Sequence, residues 1–526
     1  MENPSPKSEE SDALYWTDSL AKETRKKFPN LPNFVINDAK TPSGVIHVGS
    51  LRGVVIHDAI RRSFSEAGMD AEFFYEFDDM DAFDRVNKGL PEEFNSHLGK
   101  PFWKIPSPEP GHKSFGHCYA EKFAAIFPIL GAKARLFYMS DLYLSGKMNS
   151  SIRTALDNAK KINEINERIS GAKKKEDELP FQPICEKCGK IGSTFSYDWN
   201  GTTVKYKCIP KKAEWADGCG HEGEISPFDG RGKLPWKAEW AGRWPVLGVN
   251  VELAGKDHYT KTGSRAVSDV LANEVFNYPN PYGFGYEWFL VGGRKMSTSK
   301  GVGLPADEAV ELIPPVLLRF LLIKTRPRAQ LDFDPSGYTL IRLFDEYDKY
   351  EKSYFGAGEM PTGEVNVRRI YELSQVSSVP SSLPENVPFS HAVTLVQIFP
   401  DTDSIAKRIG LNSPELRERL EFARKWVEKG HSPEEMVFAL KTDGLPEETS
   451  SLSEPQKNAL SILADFVEKG ELEGSKQVPE LAGITPKEFF SAVYISLFGK
   501  EKGPRLSTLL ELLDKDFLVK RFRLLQ

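Results

Sequence analysis

Two segments about half a chain apart carry the residue types that hold a nucleotide's phosphates. They are Thr41-Pro42-Ser43-Gly44-Val45-Ile46-His47-Val48-Gly49-Ser50 and Gly293-Arg294-Lys295-Met296-Ser297-Thr298-Ser299-Lys300-Gly301. Gly44 and Gly49 allow close backbone approach, and the amides at a helix start near His47 face an anion favourably. His47 can donate to a phosphate oxygen, Lys295 brings a mobile positive charge, Ser297 and Ser299 bring hydroxyls, and Lys300 is a second cation. A carboxylate attacking the α-phosphate of ATP needs this set, because nucleotidyl transfer is mostly positioning and stabilisation of growing negative charge. No protein nucleophile is needed, and none is conspicuous. Alone, each segment reads as an ordinary turn with a lone histidine or lysine; both in this order are specific.

The elements around them supply the context. Residues 34–37 read as a short buried strand, broken at Thr41-Pro42-Ser43-Gly44. A helix then runs over about 47–67 and stops at Gly68, with Val48, Leu51, Val55, Ile56, Ala59, Ile60 and Phe64 on one face. Residues 72–77 form a second strand. Strand, loop, helix, strand opens an α/β, Rossmann-like, doubly wound parallel sheet, whose ligand site lies at the carboxyl end of the first strand. Rhythm weakens beyond it and returns with a strand over 246–253 and another over 287–291, which delivers the Lys295 loop. The expected organisation is a disordered tail over 1–14, a catalytic domain over 15–90 and 238–304, an insertion over 91–237, and a helical region over 305–526.

Composition sets the outer limits. The 526 residues are 40% hydrophobic and 27% charged with a net charge of −6, ordinary for a soluble globular chain. No apolar run approaches the roughly 18 residues of a membrane span, and residues 1–12 do not read as a secretory signal, so a cytoplasmic protein is expected. Four of the five cysteines, Cys185, Cys188, Cys208 and Cys219, fall in one window. They read as a structural Zn²⁺ knuckle in a reducing compartment, with His221 an alternative to Cys219.

The pair of phosphate segments resembles the two signatures of class I aminoacyl-tRNA synthetases, with Ser50 in place of the second histidine of the first and Thr298 in place of the inner lysine of the second. Phe77-Asp78-Asp79-Met80-Asp81, Gly89-Leu90-Pro91, His97-Leu98-Gly99-Lys100-Pro101, the run from Trp236 to Trp244, Gly255-Lys256-Asp257-His258 and Tyr286-Glu287 look like class I lysyl-tRNA synthetase. The likeness covers most of residues 30–330. It implies ATP and Mg²⁺ as cofactors, lysine and tRNA(Lys) as substrates, and a monomer. His47, Ser50, Lys295, Ser297 and Ser299 would be catalytic, and Gly44, Gly49, Met296, Thr298 and Lys300 would complete the ATP site. Thr41, Gly44, Trp236, Asp257, His258 and Tyr286 would bind the amino acid. Asp78, Asp79 and Asp81 read instead as helix caps or partners of a base such as Arg85, and Trp236, Trp240 and Trp244 recur as a packed helix face would.

The resemblance further implies that the zinc lobe contacts the acceptor end of tRNA and that the helical region binds the anticodon. In that region Lys407-Arg408, Arg417-Glu418-Arg419 and Lys520-Arg521-Phe522-Arg523 offer cations, or are solvated helix faces. A second metal site around His112, His117 and Cys118 is expected to be lost, because Ser107 and Gly111 stand where ligands would be needed. Alternative readings are a class I synthetase for glutamate or arginine, or a zinc-bearing tRNA-binding homologue without activity.

Overall fold

The computed structural model describes residues 14–175, 177–296, 303–359, 361 and 366–525. The N-terminal tail reading lies almost wholly outside them, as do Ser297, Thr298, Ser299 and Lys300. The chain packs as two compact units, one of residues 1–310, 315–333 and 360–379, the other of 311–314, 334–359 and 380–526.

A parallel sheet organises the first unit. Its strands β1 (Asn33–Lys40), β2 (Asp70–Phe77), β3 (Arg135–Tyr138) and β4 (Val249–Val251) lie in the order β3-β2-β1-β4. All three pairings are parallel, from Asn33 opposite Asp70 to Lys40 opposite Phe77 in the central pair. Because side chains alternate along a strand, Phe34, Ile36, Asp38 and Lys40 share one face of β1. The crossover from β1 to β2 is a short 3₁₀ turn, Val48–Ser50, followed by helix α1 (Leu51–Glu66). Leu51, Val55, Ile56, Ala59, Ile60 and Phe64 of α1 are fully buried, as their spacing predicts, each but Ala59 contributing roughly 1.5–3 kcal/mol. Gly68 leaves the helix at a φ of 71°.

Two features depart from the sequence reading. β3 lies inside the stretch expected to be an insertion; four residues are too short a run for alternation to reveal. The expected strand over 246–253 is only Val249–Val251, because helix α2 (Trp236–Leu247) runs to within two residues of it and ends at Gly248. The cysteine lobe is a three-stranded antiparallel sheet of Thr194–Trp199, Val204–Cys208 and Glu222–Ile225.

Buried charges tie α1 to later segments. The Arg52 guanidinium donates to the carbonyls of Glu287, Trp288, Arg326, Pro327 and Ala329, so the chain on either side of Trp288 is fixed to the helix. Asp58 pairs with Arg319 at 2.9 Å.

Among its described residues the second unit is helical, without a strand. Phe344 stacks on Phe389 at 3.9 Å, and Trp426 meets Phe389 edge-on. Among the described residues no helix is long and apolar enough to cross a membrane.

Candidate active site

A cavity of about 440 Å³ opens at the carboxyl end of β1. Thr41, His47, Gly49 and Ser50 line it from the loop and first turn, and Trp236, His258 and Tyr286 from later segments. Seven residues proposed from sequence thus meet around one space. Gly44, Asp257, Lys295 and Met296 are not in its wall.

On the loop side, the chain after the second phosphate segment clasps the first. Val48 N donates to Leu304 O at 2.9 Å and Ala306 N to Ile46 O at 3.0 Å. Among the described residues Met296 reaches the first segment: a Cβ on Gly49 would lie 2.8 Å from Met296 Cε. Gly44 has a φ of 152°, and a Cβ there would lie 2.0 Å from Asn87 Nδ2, which donates to Ser43 O at 2.7 Å. The φ favours glycine at 44, and a Cβ there would displace the Asn87 amide from Ser43 O.

His47 is largely buried, and its Nδ1 has no partner among the described residues. Burial, and then the Lys40 ammonium, push its pKa down to about 3. The ring is therefore neutral and acts as a hydrogen-bond donor rather than a cation. Lys295 lies exposed, 3.7 Å over the Trp288 ring and 3.2 Å from Asp257 Oδ2. The Asp257 carboxylate is thus turned to Lys295 and the Trp288 indole, away from the cavity wall.

On the opposite side the wall is aromatic. Trp236 stacks on Trp240 at 5.0 Å, and His258 meets Trp240 edge-on at 5.3 Å. Glu252 holds this wall: its oxygens accept from Asn37, Arg243, Trp240 and Trp244. Arg243 also binds Glu76; burial raises the Glu76 pKa to about 8. Lys233, buried, lies within 3.0 Å of Asp78, Asp81 and Glu239. Asp79 accepts from the backbone and hydroxyl of Ser140, at the start of helix Met139–Leu144. Asp79 therefore serves a helix start, while Asp78 and Asp81 pair with Lys233 rather than Arg85.

Sequence reasoning missed Asp38, Lys40, Lys233, Arg243 and Glu252. One signal was available: an acid and a base two residues apart at the end of an otherwise buried strand.

The four cysteine sulfurs lie within 4.8 Å of one another, with Cys185–Cys219 at 3.7 Å and Cys188–Cys208 at 3.6 Å. A tetrahedral zinc thiolate, with bonds of about 2.3 Å, separates its sulfurs by about 3.8 Å, so the donor set fits that ion. The fourth donor is Cys219. Elsewhere Glu109, His112 and Cys118 also bring ligand atoms within 4.8 Å; Glu109 was not weighed from sequence. His117 instead bonds Ser114 and stacks on Tyr138.

Residues 14–377 match the family described as tRNA synthetases class I (K). The lysine–tRNA ligase of Methanosarcina barkeri (strain Fusaro) is 33% identical over 97% of this chain and 98% of its own length. That of Picrophilus torridus is 31% identical over 97% and 98%, and that of Archaeoglobus fulgidus 32% over 97% and 99%. Among solved structures, a glutamate tRNA ligase from Elizabethkingia meningosepticum aligns with a TM-score of 0.45 at 12% identity, over 93% of this chain and 98% of that one. The chain belongs to the class I aminoacyl-tRNA synthetases and, within them, to the lysine–tRNA ligase family.

Proposed function

We propose that the cavity at the end of β1 activates lysine with ATP and that the chain then transfers the lysyl group to tRNA(Lys). The observation that carries this is the first phosphate segment lining a cavity with an aromatic far wall, while Met296 of the second packs against Gly49 in that lining. A lysine carboxylate oxygen bonds to the α-phosphorus as the bond to the β-phosphate's bridging oxygen breaks, releasing pyrophosphate. A terminal ribose hydroxyl of tRNA then attacks the acyl carbon, and AMP leaves.

Neutral His47 donates to the α-phosphate region, Ser50 donates at the helix start, and Lys295 swings from Trp288 and Asp257 onto the phosphates. Ser297, Ser299, Thr298 and Lys300 belong to the same phosphate segment. Mg²⁺ neutralises phosphate charge when bound with ATP. Thr41, Trp236, His258 and Tyr286 hold the amino acid, whose aliphatic stem suits aromatic walls. Gly44 keeps the loop open, and Asp257 acts through Lys295. The four cysteines hold a structural Zn²⁺, the sulfur spacing being its support.

For tRNA, the helical unit offers a further surface beside the basic clusters, of which Lys407 and Lys520 are exposed. Arg408, Arg419 and Arg521 are spent on carbonyls of their own unit, Arg419 also on Asp348, and Arg417 and Arg523 on acids. A cavity of about 1040 Å³ carries Phe490, Tyr494 and Tyr338 together with Lys487, Lys502 and Arg505. Aromatic faces beside cations suit unpaired bases, and this cavity is the anticodon surface of the proposal.

The test is amino-acid-dependent ATP–pyrophosphate exchange with lysine, glutamate and arginine separately, with and without tRNA. Exchange with lysine alone is expected. Exchange with glutamate would assign Lys40 to a side-chain carboxylate and overturn the reading; no exchange from folded, zinc-replete protein would leave a tRNA-binding homologue.

A further inference from the structure

We infer that Asp38 reads the side-chain ammonium of the amino-acid substrate, an assignment that rests on the lysine reading above. The cavity contains four carboxylates, Asp38, Asp78, Asp81 and Glu252, and three are committed. Glu252 accepts four hydrogen bonds, two on each oxygen. Both oxygens of Asp78 face Lys233, at 3.2 and 3.0 Å. Asp81 gives Oδ1 to Lys233 at 2.6 Å and Oδ2 to the Thr41 hydroxyl at 2.9 Å.

Asp38 is different. Its Oδ1 accepts from Ala39 N at 2.9 Å, but among the described residues Oδ2 accepts nothing. The nearest basic group, His57 Nδ1, is 3.7 Å away, and the Asp38 side chain is only 9% exposed. His57 cannot serve as the counter-ion. Leu253 N donates to His57 Nε2 at 3.1 Å, so the ring proton is on Nδ1, which gives it to Gly53 O at 2.7 Å. Asp38 lines the cavity, and burial, which disfavours the ionised carboxylate, raises its pKa. A cation arriving in the cavity relieves that cost.

The space beside Asp38 suits an ammonium. A Cβ on Gly53 would lie 2.3 Å from Asp38 Oδ2 and 3.0 Å from the Tyr286 hydroxyl. The bare glycine therefore lets both oxygens pack against α1, at most 5.3 Å from one another, and both residues line the cavity. Position 53 is four residues beyond Gly49, about 6 Å along the helix axis, comparable to the reach of a four-carbon stem. An amino acid with its carboxylate at the His47 end would thus place its side-chain terminus at Asp38. Lys40, two residues nearer the loop on the same face of β1, repels an ammonium there and favours the substrate's carboxylate and the phosphates.

The experiment is pyrophosphate exchange by the full chain and its Asp38→Asn variant, with lysine and with norleucine, which has a stem of similar reach but no side-chain amine. Asn keeps the shape and removes the charge. The expected result is a loss in kcat/KM for lysine of about 100-fold or more, carried by KM, with norleucine within about threefold and the KM for ATP unchanged. An unaltered KM for lysine overturns the assignment. So does an equal loss with lysine and norleucine, which would place Asp38 at the α-ammonium or in the framework. Wild-type protein separates the two levels: no lysine-dependent exchange there sinks the ligase reading itself. A lysine-bound crystal structure of the wild type decides independently of any variant. It supports the assignment with the substrate Nζ about 3 Å from Asp38 Oδ2, and overturns it with Nζ on another acid.

Discussion

Replacing Glu252 with glutamine tests the claim that one carboxylate holds the far wall. In the native protein its two oxygens accept from Asn37 Nδ2 at 3.0 Å, Arg243 at 2.8 Å, Trp240 Nε1 at 2.9 Å and Trp244 Nε1 at 2.5 Å. Glutamine has one oxygen, so two of the four donors must face an NH₂ whichever way the amide turns. Each buried donor left unpaired costs about 1–3 kcal/mol, which sums to about 2–6 kcal/mol. Arg243 in addition loses one of its two carboxylates, so a value near the middle, about 4 kcal/mol, is expected. That is a large share of the roughly 5–15 kcal/mol that stabilises a domain. Denaturant unfolding followed by tryptophan fluorescence reads the change, since Trp240 and Trp244 are among the donors. In protein still folded, the KM for lysine is expected to rise more than the KM for ATP, because Trp240 and Trp236 line the proposed amino-acid wall. A loss below about 1 kcal/mol would refute the accounting and mean that the aromatic wall stands without the carboxylate.

Two further outcomes follow from the site. His47→Gln lowers kcat about 100–1000-fold, the usual cost of one transition-state donor, while kcat/KM of the wild type shows no His47 inflection between pH 5 and 8. The same residue destabilises the protein in acid: its folded pKa lies below the unfolded value, so the unfolded state takes up the proton first as pH falls through about 6.5. That amounts to about 2 kcal/mol at pH 5, and the variant's melting temperature therefore drops less between pH 7 and 5 than the wild type's. Metal analysis of the full chain gives one zinc at the cysteine lobe. Cys208→Ser loses that zinc and lowers the melting temperature; a variant retaining full zinc would remove Cys208 from the ligand set.

The sheet's opening was readable because both of its signals are local. α1 repeats its apolar face every three to four residues, and the break at Thr41-Pro42-Ser43-Gly44 ends β1 within one residue of the observed Lys40. β3 was not readable: of its four residues, Arg135 and Leu136 are exposed and the other two only partly buried, so no alternation appears. The strand over 246–253 was over-read because Val246 and Leu247, apolar enough for a strand, close a helix whose start lies ten residues earlier. In the helical unit, the basic clusters read equally as tRNA contacts or solvated helix faces. The carbonyls that bind their arginines come from segments as far as 105 positions away.

The acids of the cavity show the same limit more sharply, and they show why the missing information was chemical. Asp38, Asp78 and Asp81 are identical side chains in similar surroundings, each close after or within a buried strand. What separates them is where donors arrive: Lys233 reaches Asp78 across 155 positions, and Leu253 fixes the His57 tautomer across 196. No local pattern encodes either. Once those donors are placed, β1 has a polarity: an uncommitted carboxylate at Asp38, an ammonium at Lys40, then the neutral donor His47 on the loop. The Lys40 ammonium group has no hydrogen bond or ion pair among the described residues, yet it stands close enough to His47 to depress its pKa. Burial pushes the Lys40 pKa down and the Asp38 carboxylate opposes that, so on the proposed reading an arriving phosphate would favour its charged form, in a chain whose second signature has Thr298 where a lysine is usual. A substrate with a carboxylate at one end and an ammonium at the other can lie along that gradient in one direction only. On the proposed reading, the polarity of β1, more than the volume of the cavity, would set which way the amino acid enters.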